Sequence, residues 1–125
     1  MVLKRKKPAD ILVYCKAVCP NVFDDSILYT WLNEAEGQVQ TEVARIAPDS
    51  SDFTIHAPTD NPAKELFVGA PHDKLYGEYV CARICEAEGE IARANNYMTR
   101  FNDFYQEFSK WFTRNYNPAH NGKVV

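Results

Sequence analysis

The sequence predicts a mainly α protein: a small helical bundle with one long C-terminal helix, a long extended loop or short β-hairpin between helices 2 and 3, and an extended C-terminal arm. Three observations predict it. Apolar residues recur at steps of three and four over two long stretches, Leu28 to Ile46 and Tyr76 to Phe112. Proline and acidic residues stand where such stretches begin and end. The one β-rich stretch, between Pro48 and His72, is short and broken by prolines. With 125 residues, 46% of them apolar and 25% charged, the chain fits one domain, 1–125, with an ordinary globular composition.

Residues 1–8 form a basic leader carrying Lys4, Arg5, Lys6 and Lys7. Pro8 suits a first helical turn, and Pro20 cannot continue one, so a first helix is expected between them with Ile11 to Cys19 as its apolar segment. Asp24, Asp25 and Ser26 offer N-cap side chains to a second helix of about 20 residues, whose stripe is Leu28, Trp31, Leu32, Ala35, Val39, Val43 and Ile46. Gly37 lies inside it and costs about 1 kcal/mol relative to Ala. Pro48 ends it.

The loop 48–72 contains two β-rich runs, Phe53 to His56 and Glu65 to Val68, around Pro58-Thr59-Asp60-Asn61-Pro62. They fit a small hairpin or two extended arms. Asp73 then caps a stripe that keeps its register from Tyr76 through Val80, Ile84, Ala87, Ile91, Ala94, Met98, Phe101, Tyr105 and Phe108 to Phe112. Because the register passes Gly89 unshifted, one continuous helix from Lys74 to Asn115 is expected rather than a hairpin, roughly 60 Å at about 1.5 Å per residue. Past Pro118 the chain cannot stay helical, which makes 116–125 an arm.

Charge excludes some functions. Fourteen basic residues oppose 17 acidic ones for a net of −3, and without the four leader cations the body carries ten against 17, near −7. From Pro20 to Asp60, eight acids, including Glu34, Glu36 and Glu42, face Arg45 alone. This reads as a solvated helix surface that repels nucleic acid. No run approaches eighteen apolar residues and no signal peptide is visible, so a cytosolic chain without a membrane span is expected, its cysteines reduced.

Cys15 with Cys19, and Cys81 with Cys85, are i,i+4 pairs. Two facing helices bring such pairs to a zinc ion, but small thiols packing the first helix on the long one account for them with less, and no metal ligand or cofactor is assigned. His56, His72 and His120 lie in loops or the tail. Glu86, Glu88 and Glu90 do not share a face, and no phosphate loop, GxSxG or HExxH pattern occurs. The chain is therefore not read as an enzyme. Sixteen large rings exceed a small core's needs, and those at the C-terminal end, among them Phe104 and Trp111, broaden the apolar face toward a second packing surface.

The stretch Ala70-Pro71-His72-Asp73-Lys74-Leu75-Tyr76, then Arg93-Ala94-Asn95-Asn96-Tyr97, Phe101-Asn102-Asp103-Phe104-Tyr105, and Trp111 through Pro118 resembles the C-terminal half of the head-tail connector (adaptor, head completion) proteins of tailed phages and prophages, especially those of Gram-positive hosts. The family pattern runs Pro-Tyr-Asp-x-Leu-Tyr, Asn-Gly-Glu, Arg-Tyr-Asn-Asn, Phe-Asn-x-x-Tyr and Asn-Arg-x-x-x-Pro. This chain departs from it at His72, at Glu88-Gly89-Glu90, at Ala94 and at Thr113-Arg114. Trp31-Leu32 and Glu34 resemble the family's second helix more weakly.

The resemblance implies a structural virion protein of the neck, made in the host cytoplasm. It would assemble as a homo-oligomeric ring, typically a dodecamer, beneath the portal protein. The ring would extend the channel through which genomic DNA passes without sequence-specific binding, and would dock the next neck or tail completion protein. The loop and tail would reach portal or neighbouring subunits, with Trp111, Arg114, Tyr116, Pro118, Phe53 and Phe67 as contact residues. Two other readings compete: a small cytosolic helical module that holds a partner helix with its aromatic end, and a cysteine-based metal-binding regulator.

Overall fold

The computed structural model describes residues 5–43 and 65–116. It is mainly helical, with four helices in the order α1 (Pro8–Val18), α2 (Asp25–Glu42), α3 (Lys74–Ala87) and α4 (Ile91–Tyr116), and no strand among the described residues. The second helix ends at Glu42 with Val43 as its C-cap, short of the end expected at Pro48. The hairpin or extended arms expected around Phe53, the stripe residue Ile46 and the arm expected beyond Tyr116 lie outside the described residues.

Pro8 occupies the first turn of α1, as its fixed φ allows, and the Asp10 carboxylate accepts the Lys7 N–H at 3.1 Å. An Asn21 turn joins α1 to α2: its side chain donates to the Cys19 carbonyl and accepts the Phe23 N–H, both at 3.0 Å. Along α2 the expected stripe is buried at Leu28, Leu32, Ala35, Val39 and Val43, whereas Trp31 stays half-buried with Phe23 edge-on to it at 5.3 Å.

The continuous helix expected from Lys74 to Asn115 is instead two helices. α3 stops at Ala87, Gly89 takes a φ of +80°, and α4 starts at Ile91. The turn is a Schellman closure, with Glu90 N–H donating to the Cys85 carbonyl at 2.8 Å and Gly89 N–H to the Glu86 carbonyl at 3.1 Å. The helices fold back on one another: Arg100 pairs with Glu78 at 2.8 Å, and the Phe101 ring lies 5.0 Å from that of Tyr79, positions nearly equidistant from Gly89 along the chain. Ala87 and Ile91, read as stripe residues, sit exposed at the hairpin tip, Ile91 at 55%. A stripe at threes and fours records which face each helix buries but not whether the chain reverses between them, so an in-phase turn leaves the pattern intact.

Gly89 holds that reversal. A Cβ there meets nothing within 4 Å, so the cost of Gly89→Ala is purely the left-handed backbone, about 1–2 kcal/mol. Urea denaturation should show that loss with an unchanged m value; a neutral result would mean that the turn does not depend on glycine.

α3 is the central helix. It buries Leu75, Tyr76, Val80, Cys81, Ile84 and Cys85 between α1 and α2 on one side and α4 on the other. The leader also has a place. Leu66 N–H donates to the Lys6 carbonyl at 2.9 Å, and Arg5 makes an isolated antiparallel bridge with Gly69. The second β-rich run, Glu65 to Val68, forms no strand, and it meets the N-terminal residues through this hydrogen bond and bridge. Asp24 and Asp73 stand at the N-cap positions of α2 and α3, but neither side chain makes the capping hydrogen bond that the sequence suggests.

Candidate functional site

The C-terminal half of α4 packs against the segment 66–73, and the contact is aromatic. Phe67 lies edge-on to Phe108 and Phe112, at 6.1 and 5.4 Å. His72 rests between Phe108 at 5.6 Å and Trp111 at 5.2 Å, and Phe108 stacks on Trp111 at 6.1 Å. Burial pushes the His72 imidazole below its ordinary pKa, which keeps it neutral near pH 7.

This arrangement locates the sequence-predicted contact residues. Trp111 is half-buried at the edge of the cluster, Arg114 is exposed in the last turn of α4, and Tyr116 is that helix's final residue. Phe67, at 7% exposure, is part of the core rather than of an outer surface. Phe53 and Pro118 lie outside the described residues. Trp111 and Arg114 therefore share the last turns of α4, and Phe67 packs on Phe108 and Phe112 of the same helix.

Beside the cluster lies a polar network that sequence reasoning missed. Glu36, counted there among the solvated acids, is 1% exposed. Its carboxylate accepts the Tyr76 hydroxyl, the Phe67 N–H at 2.9 Å and the Gln40 side-chain amide at 3.3 Å. The Tyr76 oxygen in turn accepts the Val68 N–H at 3.0 Å. Burial, followed by the adjacent Glu36 charge, raises the Tyr76 pKa well above the ordinary range. A signal for Glu36 did exist: it stands four residues after Leu32 and three before Val39, on the stripe itself.

Two further acids of α2 receive tyrosine hydroxyls from the α3–α4 hairpin, Tyr79 to Glu34 at 2.6 Å and Tyr105 to Glu42 at 2.5 Å. Part of the aromatic surplus is thereby used inside the chain, where each ring packs and each hydroxyl finds a charged acceptor.

The four cysteines form a second cluster, between α1 and α3. All are buried thiols; the Cys19 and Cys85 sulfurs are 3.8 Å apart, and the Cys15 sulfur is 3.9 Å from the Gly77 carbonyl. The helices touch, as the packing reading requires. Burial, followed by the bond to Cys85, pushes the Cys19 thiol up to about 12, and Cys81 is raised as well, first by its bond to Cys15 and then by burial. Protonated thiols are weak ligands and weak nucleophiles. Among the described residues no group of three or more His, Cys, Asp or Glu is arranged to hold a metal ion, and no helix is long and apolar enough to cross a membrane.

These shifts fix a sign for alkaline pH. The folded state holds the Cys19 proton more tightly than the unfolded chain, whose thiol titrates near 9.0, and the same is true of Tyr76, Tyr79 and Tyr105 against an ordinary 10.0. Their contribution is full below pH 9 and is lost as pH rises from about 9 through 12. Thermal melts followed by circular dichroism should fall steadily over that window; a constant midpoint to pH 11.5 would contradict the buried-thiol and tyrosine assignments.

Comparison with protein-family models, with curated proteins and with solved structures returns no match for this chain.

Proposed function

We propose that this chain is a head-tail connector subunit of a tailed phage or prophage: a non-enzymatic virion protein that rings the DNA channel beneath the portal and docks the next neck or tail protein. The observation that carries the reading is the meeting, in one packed unit, of the stretches that resemble the connector family. His72, from the Pro71 to Tyr76 stretch, lies on Trp111 and Phe108 of α4, while Tyr76 of the same stretch ties the unit to α2 through Glu36. His72 and Phe108 thereby hold Trp111 in the last turns of α4, where a contact with portal or neighbour would be made. A body near −7 suits a channel that DNA must pass without adhering.

A binding module without a virion role is the second reading. It is favoured by the apolar residues exposed on α1 and in the turn after it, Val13, Val18 and Val22, the last at 95%. Mass spectrometry of gradient-purified particles separates the two. A ratio to portal near one to one supports the connector, and absence from mature particles transfers the case to the module. In the connector reading, deletion of 116–125 takes a single residue from α4, so the variant folds and particles stop short of tail attachment. Infectious tailed particles from that deletion would overturn the assignment.

A further inference from the structure

Between the leader, α1 and the first turns of α3 lies a cavity of about 260 Å³. One wall is apolar, made of Ile11, the Tyr14 ring and the bare backbone of Gly77, where an added Cβ would stand 2.7 Å from the Tyr14 ring. The polar lining comprises Asp10, Asp73 and Glu78 with Lys6 and Lys74, a net negative set. Two of the acids are already engaged, Asp10 by the Lys7 N–H and Glu78 by Arg100.

Asp73 is different. It is 5% exposed, its side chain does not cap α3, and its Oδ2 has no hydrogen-bond partner among the described residues. The Lys6 ammonium is drawn to that oxygen but stops 3.8 Å away, too far to donate, and Lys6 remains 53% exposed. A buried carboxylate oxygen without a donor is costly, and a cation that reaches it recovers that cost. A flexible, half-exposed lysine is a replaceable cover.

We propose that this cavity is a binding site for one alkylammonium or guanidinium group on a short methylene stem, with Asp73 as its carboxylate acceptor, Tyr14 and Gly77 as the wall for the stem, and Lys6 as the internal group that it displaces. Such a group is the side chain of a lysine or arginine presented by another polypeptide, or a free polyamine. The site is independent of the connector reading, since it rests on Asp73 and the cavity alone.

The test is a heteronuclear NMR titration of the full chain with N-acetyl-arginine amide and, separately, with putrescine, read at the Gly77 and Lys74 amides. Butyramide and butyrate serve as neutral and anionic controls. Saturable shifts with the cations alone are expected, and the tighter of the two names the source. Asp73→Asn should weaken binding roughly tenfold or more, the loss of one charge-assisted hydrogen bond. Lys6→Met removes the competitor and should tighten binding several-fold, which keeps the proposal testable if Asp73→Asn does not fold. No saturation at Gly77, equal shifts with butyramide or butyrate, or an affinity that Lys6→Met leaves unchanged would overturn it.

Discussion

Tyr76→Phe should destabilise the protein by about 3 kcal/mol although it removes a single oxygen atom. Three costs combine. A hydrogen bond to an ionised acceptor is worth about 1.5–3 kcal/mol, and its loss leaves Glu36 with less to offset burial of its charge. The Val68 N–H loses its acceptor in the interior. The phenyl ring itself stays packed, so no cavity forms to blur the result. Urea denaturation gives the value, and a double-mutant cycle with Glu36→Gln should return a coupling of more than about 1 kcal/mol. A Tyr76→Phe loss under about 1 kcal/mol would mean that the network is not what ties the segment 66–68 to α2.

Phe108→Ala should cost about 3–5 kcal/mol, the range for truncating a buried aromatic ring, because Phe67, His72, Trp111 and Phe112 all lean on that ring. Trp111→Ala gives the contrast. Its ring is half-buried at the edge of the cluster, so about 1–2 kcal/mol is expected from the buried part of its area. In the connector reading, the larger effect of Trp111→Ala falls on particle assembly. Equal destabilisation by the two variants would show that Trp111 is a core residue with nothing reserved for a partner, and would remove it from the contact surface.

Much of the fold was legible. Pro8 and Asp10 mark the start of α1, the stripe from Leu28 to Val43 marks the buried face of α2, and Tyr76, Val80 and Ile84 mark that of α3. Each of these signals is local. Proline geometry, the reach of a carboxylate to the backbone and the 3.6-residue turn act within a few residues of themselves. The cysteine pairs belong to the same class, since i,i+4 thiols on two helices imply a shared face, and the helices do meet there.

What tertiary structure alone decided is the set of relations between distant segments. The stripe through Gly89 has the same phase in a straight helix and in a hairpin, and the reversal wins because it lets α4 bury Phe101, Phe108 and Phe112 against α3 and the segment 66–72. Glu36 looks like one more surface acid until Phe67, thirty-one residues on, and Tyr76, forty on, supply the donors that make its burial tolerable. Nothing local to the basic leader says what it meets, and Lys6 and Arg5 pair with Leu66 and Gly69, about sixty residues on. Asp73 reads as a cap until its carboxylate oxygen is found beside a cavity with no hydrogen-bond donor among the described residues. The sequence by itself determined where helices form and which faces are apolar, because those depend on neighbours in the chain. Which polar groups are buried, and what satisfies them, depends on groups tens of residues away, and only the packed structure brings those together.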